Sequence, residues 1–242
     1  MSALPDTGVM AAAASPALLE PYARFDDAEL LEHFRAVGGG AYSPVVDAEE
    51  GSREKADAIV AGTFTFNGES HALGQRFDWL ANPSNDIEWH ILLHKFYFAT
   101  GLGKAFAESG DPAYAQRWME LTATWMEQTP CGFIAADVTG RRVQNWIYAH
   151  WYFVRTSRTA PVDPALHRAL LASLEQQVDF LCRNLTPKRN HRTLELYAIF
   201  LAGVAFPEFR DAARWRSFGL AEFSRNIEAD LLPDGVHCEL ST

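Results

Sequence analysis

The stretch Lys188-Arg189-Asn190-His191-Arg192-Thr193-Leu194-Glu195 runs straight into Leu196-Tyr197-Ala198-Ile199-Phe200-Leu201-Ala202. A polar, cationic mouth thus opens onto a run with little room for a wet face, the pattern of a helix with neighbours on two flanks. The start of such a helix offers side-chain donors together with backbone N–H groups that lack an intrahelical partner, a setting that suits an anion. Taken alone, Asn190 reads first as a simple helix cap.

The same texture extends outward from this stretch. Ile87 to Ala107 carries Trp89, Leu92, Leu93, Phe96, Tyr97, Leu102 and Phe106 and predicts one long helix. Asp111-Pro112 and Asp163-Pro164 each place proline just inside a helix start, predicting helices to about Glu127 and Asn184. Thr139-Gly140 precedes a further helix over Arg141 to Thr156, and Asn190–Phe206 and Pro207–Leu231 supply two more before the turn Pro233-Asp234-Gly235. Long helices on short turns make antiparallel pairs, so the fold class is all-α, a ring or stack of helical hairpins. No fixed repeat period is visible, which disfavours a regular solenoid.

The N-terminal part differs. Residues 1–20 are Ala/Pro/Ser-rich and read as loosely attached. Asp26 to Val37 reads as a helix stopped by Gly38-Gly39-Gly40, and Ala56 to Val60 as a helical turn. Gly62-Thr63-Phe64-Thr65-Phe66-Asn67-Gly68-Glu69 alternates and closes on Asn-Gly, the signature of a short β-hairpin. The expected organisation is a segment over 1–83, with a helix and a hairpin, packing on a helical part over 84–242.

The 242 residues carry a formal charge of −10, which argues against general nucleic-acid binding. An acidic substrate would need cations gathered at one place, and they gather at Arg141-Arg142 and Lys188 to Arg192. Cys131, Cys182 and Cys238 are odd in number and lack metal-type spacing, so they read as thiols. No apolar run approaches a membrane span, and the Ala-rich start has no basic n-region, so cytoplasmic is the default and periplasmic or secreted the alternative if a signal was removed.

Four local patterns now agree. Phe64-x-Phe66-x-Gly68, Leu73-Gly74 and Asp78-Trp79-Leu80-x-Asn82-Pro83 form the first. Arg142-Val143-x-Asn145-Trp146-Ile147, Asn190-His191 and Asp234-Gly235-x-His237-x-Glu239-x-Ser241 follow in order. Together they resemble the N-terminal part of heparinase II/III-type polysaccharide lyases. The resemblance implies an incomplete (α/α) toroid followed by a β-sandwich, splitting uronic-acid polysaccharides by β-elimination. In the family the Asp-Gly motif runs on to a Tyr-His whose Tyr is a catalytic acid or base, whereas this chain stops at Thr242 and carries no β-sandwich. The expectation is therefore a lyase domain that is incomplete as it stands. It implies no cofactor in this chain, since the family's metal belongs to the β-sandwich, and an acidic polysaccharide or oligosaccharide as partner, with no nucleic acid and no membrane.

β-Elimination removes the C5 proton beside a uronate carboxylate and expels the C4 oxygen, so the site must neutralise that carboxylate as charge develops. By resemblance Asn190 is the neutraliser, and His191 its partner or the base that takes the proton. Arg142, Asn145, Arg192, His237 and Glu239 are the expected substrate-binding residues, and Glu195 is a candidate to orient His191. Asn145 reads equally as a buried polar plug. His90 and His94 stand at metal-ligand spacing on one helix but lack a third ligand, and read first as groove or core histidines. Two alternatives stay open: a non-catalytic carbohydrate-binding toroid domain, and a glycoside hydrolase drawing two carboxylates from Asp137, Glu195 and Glu239.

Overall fold

The structure is a computed structural model and describes residues 15–187 and 189–230. Helix α1 (Asp27–Val37) starts with a reciprocal capping box between Asp26 and Glu29. Helix α2 (Arg53–Val60) is capped by Ser52 and leads into strands β1 (Thr63–Phe66) and β2 (Glu69–Ala72), which pair antiparallel with Thr63 opposite Ala72. Asn67 and Gly68 turn the hairpin with φ of 52° and 77°, the positive values a two-residue turn of this hand demands. One face of β1, Phe64 and Phe66, is buried. Residues 15–20 are tied down rather than loose: Leu18 is buried and bridges Phe209, and Glu175 accepts a hydrogen bond from the Ala17 N–H.

The long helix expected over 87–107 is two helices, α3 (Ile87–Lys95) and α4 (Tyr97–Ser109), broken at Phe96. Phe96 is fully buried in the left-handed region at φ 59°, where a side chain costs about 1–2 kcal/mol. Its ring stacks on Trp79 at 5.3 Å and meets Trp125 and Trp146 edge-on. The break frees carbonyls inside the protein, and a buried carbonyl must find a donor. Asn145 Nδ2 donates to the Lys95 carbonyl at 2.8 Å, and Arg142 Nη1 to that of His94 at 3.3 Å.

Helices α5 (Pro112–Gln128), α6 (Ala136–His150), α7 (Pro164–Arg183), α8 (Arg189–Ala205) and α9 (Ala212–Asp230) complete the described helices. Asp111 and Asp163 cap α5 and α7, each with proline in the first turn, as the sequence predicts. Helix α6 begins at Ala136, five positions before the expected Arg141, because Gly140 sits inside it. A Cβ there would lie 3.2 Å from the Glu195 Cα, so this glycine lets α8 approach. Trp151–Arg155 continues α6 as a π-helical turn.

Contacts that rise together along two helices show that they run the same way. Thr100 meets Asn145 and Phe106 meets Phe153; Asp137 meets His191 and Tyr148 meets Tyr197. Helices α4, α6 and α8 are therefore parallel neighbours, and α5, α7 and α9 are the return helices. In the α8–α9 hairpin Arg192 faces Glu222 while Arg216 Nη1 reaches the Gly203 carbonyl, which makes it antiparallel. One hydrophobic core runs through the hairpin segment, α1 and both helical layers, from Leu18 to Trp215. This is the incomplete (α/α) toroid with a small hairpin-bearing N-terminal segment.

Candidate functional site

Because α4, α6 and α8 are parallel, their N-terminal ends gather at one rim. Tyr97 opens α4, Asp137 and Arg141 lie in the first turns of α6, and Asn190 and His191 in the first turn of α8. Aligned helix starts bias this rim toward negative ligands. Asn190 and His191 are exposed. His191 Nδ1 lies 3.1 Å from Asp137 Oδ2, with Asp137 mostly covered. A carboxylate on Nδ1 makes that nitrogen the N–H donor and turns the other, Nε2, outward as the acceptor of the neutral ring. Asp137 thus does the orienting that the sequence reading assigned to Glu195.

Glu195 is fully buried and takes a different job. Its carboxylate accepts from the Thr186 N–H at 2.7 Å and the Thr186 hydroxyl at 2.5 Å, pinning the loop between α7 and α8. Burial raises its pKa, and the two Thr186 bonds act in the opposite sense. Arg192 holds the same loop from the other side: Nη1 donates to the Thr186 carbonyl at 3.0 Å and Nη2 to Glu222 at 2.6 Å. Two anchors on one loop fix where α8 begins, and so where Asn190 and His191 stand.

Two expected substrate contacts prove to be interior. Arg142 is 0% exposed, with Nε on Gln177 at 2.7 Å, Nη2 on the Cys131 carbonyl and Thr139 hydroxyl, and its guanidinium 4.0 Å from the centre of the Trp125 ring. Asn145 is 3% exposed and spans Lys95 and Thr100. Both staple the α3–α4 break from inside. The Arg192 guanidinium is committed to Thr186 and Glu222, so its role here is to hold the loop. His237 and Glu239, with the rest of the Asp-Gly motif, lie outside the described residues.

His90 and His94 are interior as well. Both direct Nε2 at the Trp79 carbonyl, at 3.0 and 2.9 Å, while His94 Nδ1 accepts from Trp125 Nε1 at 3.0 Å. They bind the Asp78-Trp79 segment to the helical layers, and burial drives the His94 pKa down to about 3. Among the described residues no group of three or more His, Cys, Asp or Glu is placed to hold a metal ion. A separate cleft of about 320 Å³ beside α7 is lined by two acids, Glu175 and Asp179, against one cation, Arg183, and so does not favour a polyanion.

The rim also holds Arg141, one of the cations that gather in the sequence, and two tyrosines that the sequence does not mark out, Tyr148 and Tyr197. The half-exposed Arg141 donates Nη1 to Gln144 at 2.9 Å, and the Tyr148 and Tyr197 hydroxyls meet at 2.8 Å. Tyr197 lies within the apolar run, yet it stands seven residues after Asn190 and so returns to the same helix face.

Comparison with known proteins now bears on this geometry. The family model described as "Heparinase II/III N-terminus" matches residues 26–242. The chain belongs to this family. It is 29% identical over 176 residues to a heparin-sulfate lyase of Pedobacter heparinus, an alignment covering 69% of this chain and 26% of that protein. It is 27% identical over 191 residues to a heparin-sulfate lyase of Bacteroides stercoris, covering 69% and 28%. Among solved structures, heparan sulfate lyase HepC from Pedobacter heparinus superimposes with a TM-score of 0.73 at 25% identity, covering 87% of this chain and 36% of that one. A structure of heparinase III reaches 0.75 at 22% identity, covering 87% and 35%. The heparinase-family chain is thus related to polysaccharide lyases and spans about a quarter of the length of these curated relatives.

Proposed function

We propose that this domain forms the toroid half of a polysaccharide lyase site, in which the rim of α4, α6 and α8 receives a uronic-acid unit of an acidic glycan for β-elimination. The observation that carries this reading is the His191–Asp137 pair, at 3.1 Å, beside the exposed Asn190 at the start of α8. The relatives are heparin-sulfate lyases, which supports an acidic polysaccharide as the substrate class.

The chemistry follows from the groups present. Asn190 donates its amide to the uronate carboxylate, lowering the barrier to forming negative charge at C5. His191, held by Asp137 through Nδ1, offers the Nε2 lone pair to the C5 proton. As His191 gains a proton, the Asp137 carboxylate stabilises the imidazolium. Protonation of the departing C4 oxygen falls to a group that this rim does not assign. Among the described residues Asp137 and Glu195 do not form the two carboxylates facing one glycosidic bond that a hydrolase requires, because Glu195 is buried on Thr186.

The test is ultraviolet absorbance of the new C4–C5 double bond during incubation with a panel of uronate polymers. The 242-residue chain runs beside the longest product of its gene, each with Asn190→Ala and His191→Ala. Signal that appears with the longer product and vanishes in both variants is the expected result. Saccharide cleavage without a new double bond would refute elimination, and binding without cleavage by either chain would favour the non-catalytic carbohydrate-binding reading.

A further inference from the structure

On α6, Asp137, Arg141, Gln144 and Tyr148 fall at i, i+4, i+7 and i+11, a single stripe along the helix. Its lower end meets α8 through Asp137 and His191, and its upper end through Tyr148 and Tyr197. Arg141 therefore sits between the two contacts, about 6 Å of helix rise above Asp137, a separation comparable with one sugar unit. An acid one turn away on a helix is the natural partner for an arginine. Here Asp137 has turned to His191, and among the described residues Arg141 makes no ion pair. Among the described residues its acceptor is the neutral Gln144 amide, which takes Nη1 and leaves Nε and Nη2 without a described acceptor. The cation is near enough to Tyr97 and Tyr197 to draw both phenol pKa values down against the larger, opposite effect of burial. Half-exposed Arg141 contrasts with its buried neighbour Arg142, and it is flanked by the exposed phenol of Tyr197.

We propose that Arg141 is an anion-binding residue of the rim, its guanidinium and the Tyr197 hydroxyl together holding a carboxylate or sulfate on the sugar unit next to the one at His191. A planar guanidinium with two free N–H directions matches either oxyanion in a paired geometry. The inference rests on the glycan reading above and adds to it a second point of grip.

The experiment is calorimetric titration of the 242-residue chain with size-defined uronate oligosaccharides, sulfated and desulfated. The variants are Arg141→Gln, Arg141→Lys, His191→Ala and, as a control for loss of one surface charge, Arg158→Gln. Arg141→Gln is expected to weaken binding about tenfold at an unchanged thermal midpoint, with Arg141→Lys intermediate and Arg158→Gln like the parent. A loss confined to the sulfated ligand assigns a sulfate; an equal loss with both assigns a carboxylate. If His191→Ala loses binding while Arg141→Gln keeps it, the rim stands and the Arg141 assignment falls. If the unaltered chain binds none of the oligosaccharides, the glycan reading falls and takes this inference with it.

Discussion

Replacing Arg142 by Met separates the interior role of this residue from the substrate-binding role its motif suggests. The substitution keeps most of the stem volume and removes the charge. It strands the His94 and Cys131 carbonyls and the Gln177 amide oxygen, which now accept at 3.3, 3.0 and 2.7 Å. A buried acceptor left without a donor costs about 1–3 kcal/mol. Opposing this, the guanidinium is fully buried with no acid beside it, and burial drives its pKa down to about 9, so its removal relieves a desolvation penalty. Gln177 can turn toward other donors, whereas the His94 carbonyl is fixed at the α3–α4 break and the Cys131 carbonyl in the loop between α5 and α6. The balance is a net loss of about 3 kcal/mol, or a fall in Tm of roughly 6–12 °C for a chain of this size. Urea unfolding followed by circular dichroism measures the first and a thermal scan the second. An Arg142→Met protein with parental stability but no affinity for acidic oligosaccharides would refute the interior assignment and return Arg142 to the groove.

Further outcomes follow from the same geometry. Asp137→Asn in the longest gene product should lower kcat about 10–100-fold with little change in KM; an unchanged kcat would dissociate the pair from the chemistry. Glu195→Gln should instead destabilise the domain by about 1–2 kcal/mol through weaker bonds to Thr186, read as a lower urea midpoint. Gly101→Ala would drive a Cβ into the Glu50 carbonyl oxygen, forcing the turn before α2 away from α4 at about 1–3 kcal/mol, also visible in the urea midpoint. Burial pushes His94 and His167 down to about 3 from 6.5. Between those limits the unfolded chain binds more protons, so their stabilisation is complete above pH 6.5 and drains as pH falls toward 3. The slope is at most about 1.4 kcal/mol per pH unit for each histidine. Urea midpoints measured across the window should fall steeply, and less steeply in His167→Gln.

Helix caps and the hairpin were legible because each is a local rule: Asp111-Pro112, Asp163-Pro164, the Asp26–Glu29 box and Asn67-Gly68 specify their own backbone. The break at Phe96 was not, since it carries no glycine or proline and local propensity favours continuation. It persists because distant partners, Trp79 against the ring and Arg142 and Asn145 on the loosened carbonyls, hold it there. That explains why the site reading misplaced those two side chains. Arginine and asparagine in an aromatic helix demand polar partners, and a sequence cannot distinguish a sugar from a carbonyl fifty residues away. The first turn of α8 was read correctly in position because a polar mouth before an apolar run has only one end at which to meet solvent. Its partner across the rim was hidden by spacing: Asp137 and His191 are brought together only when α6 and α8 run parallel, with all of α7 between them. The Arg142-Val143-x-Asn145 motif thus stabilises the interior. Arg141 and Tyr197 lie beside it on the faces that the interior leaves outward.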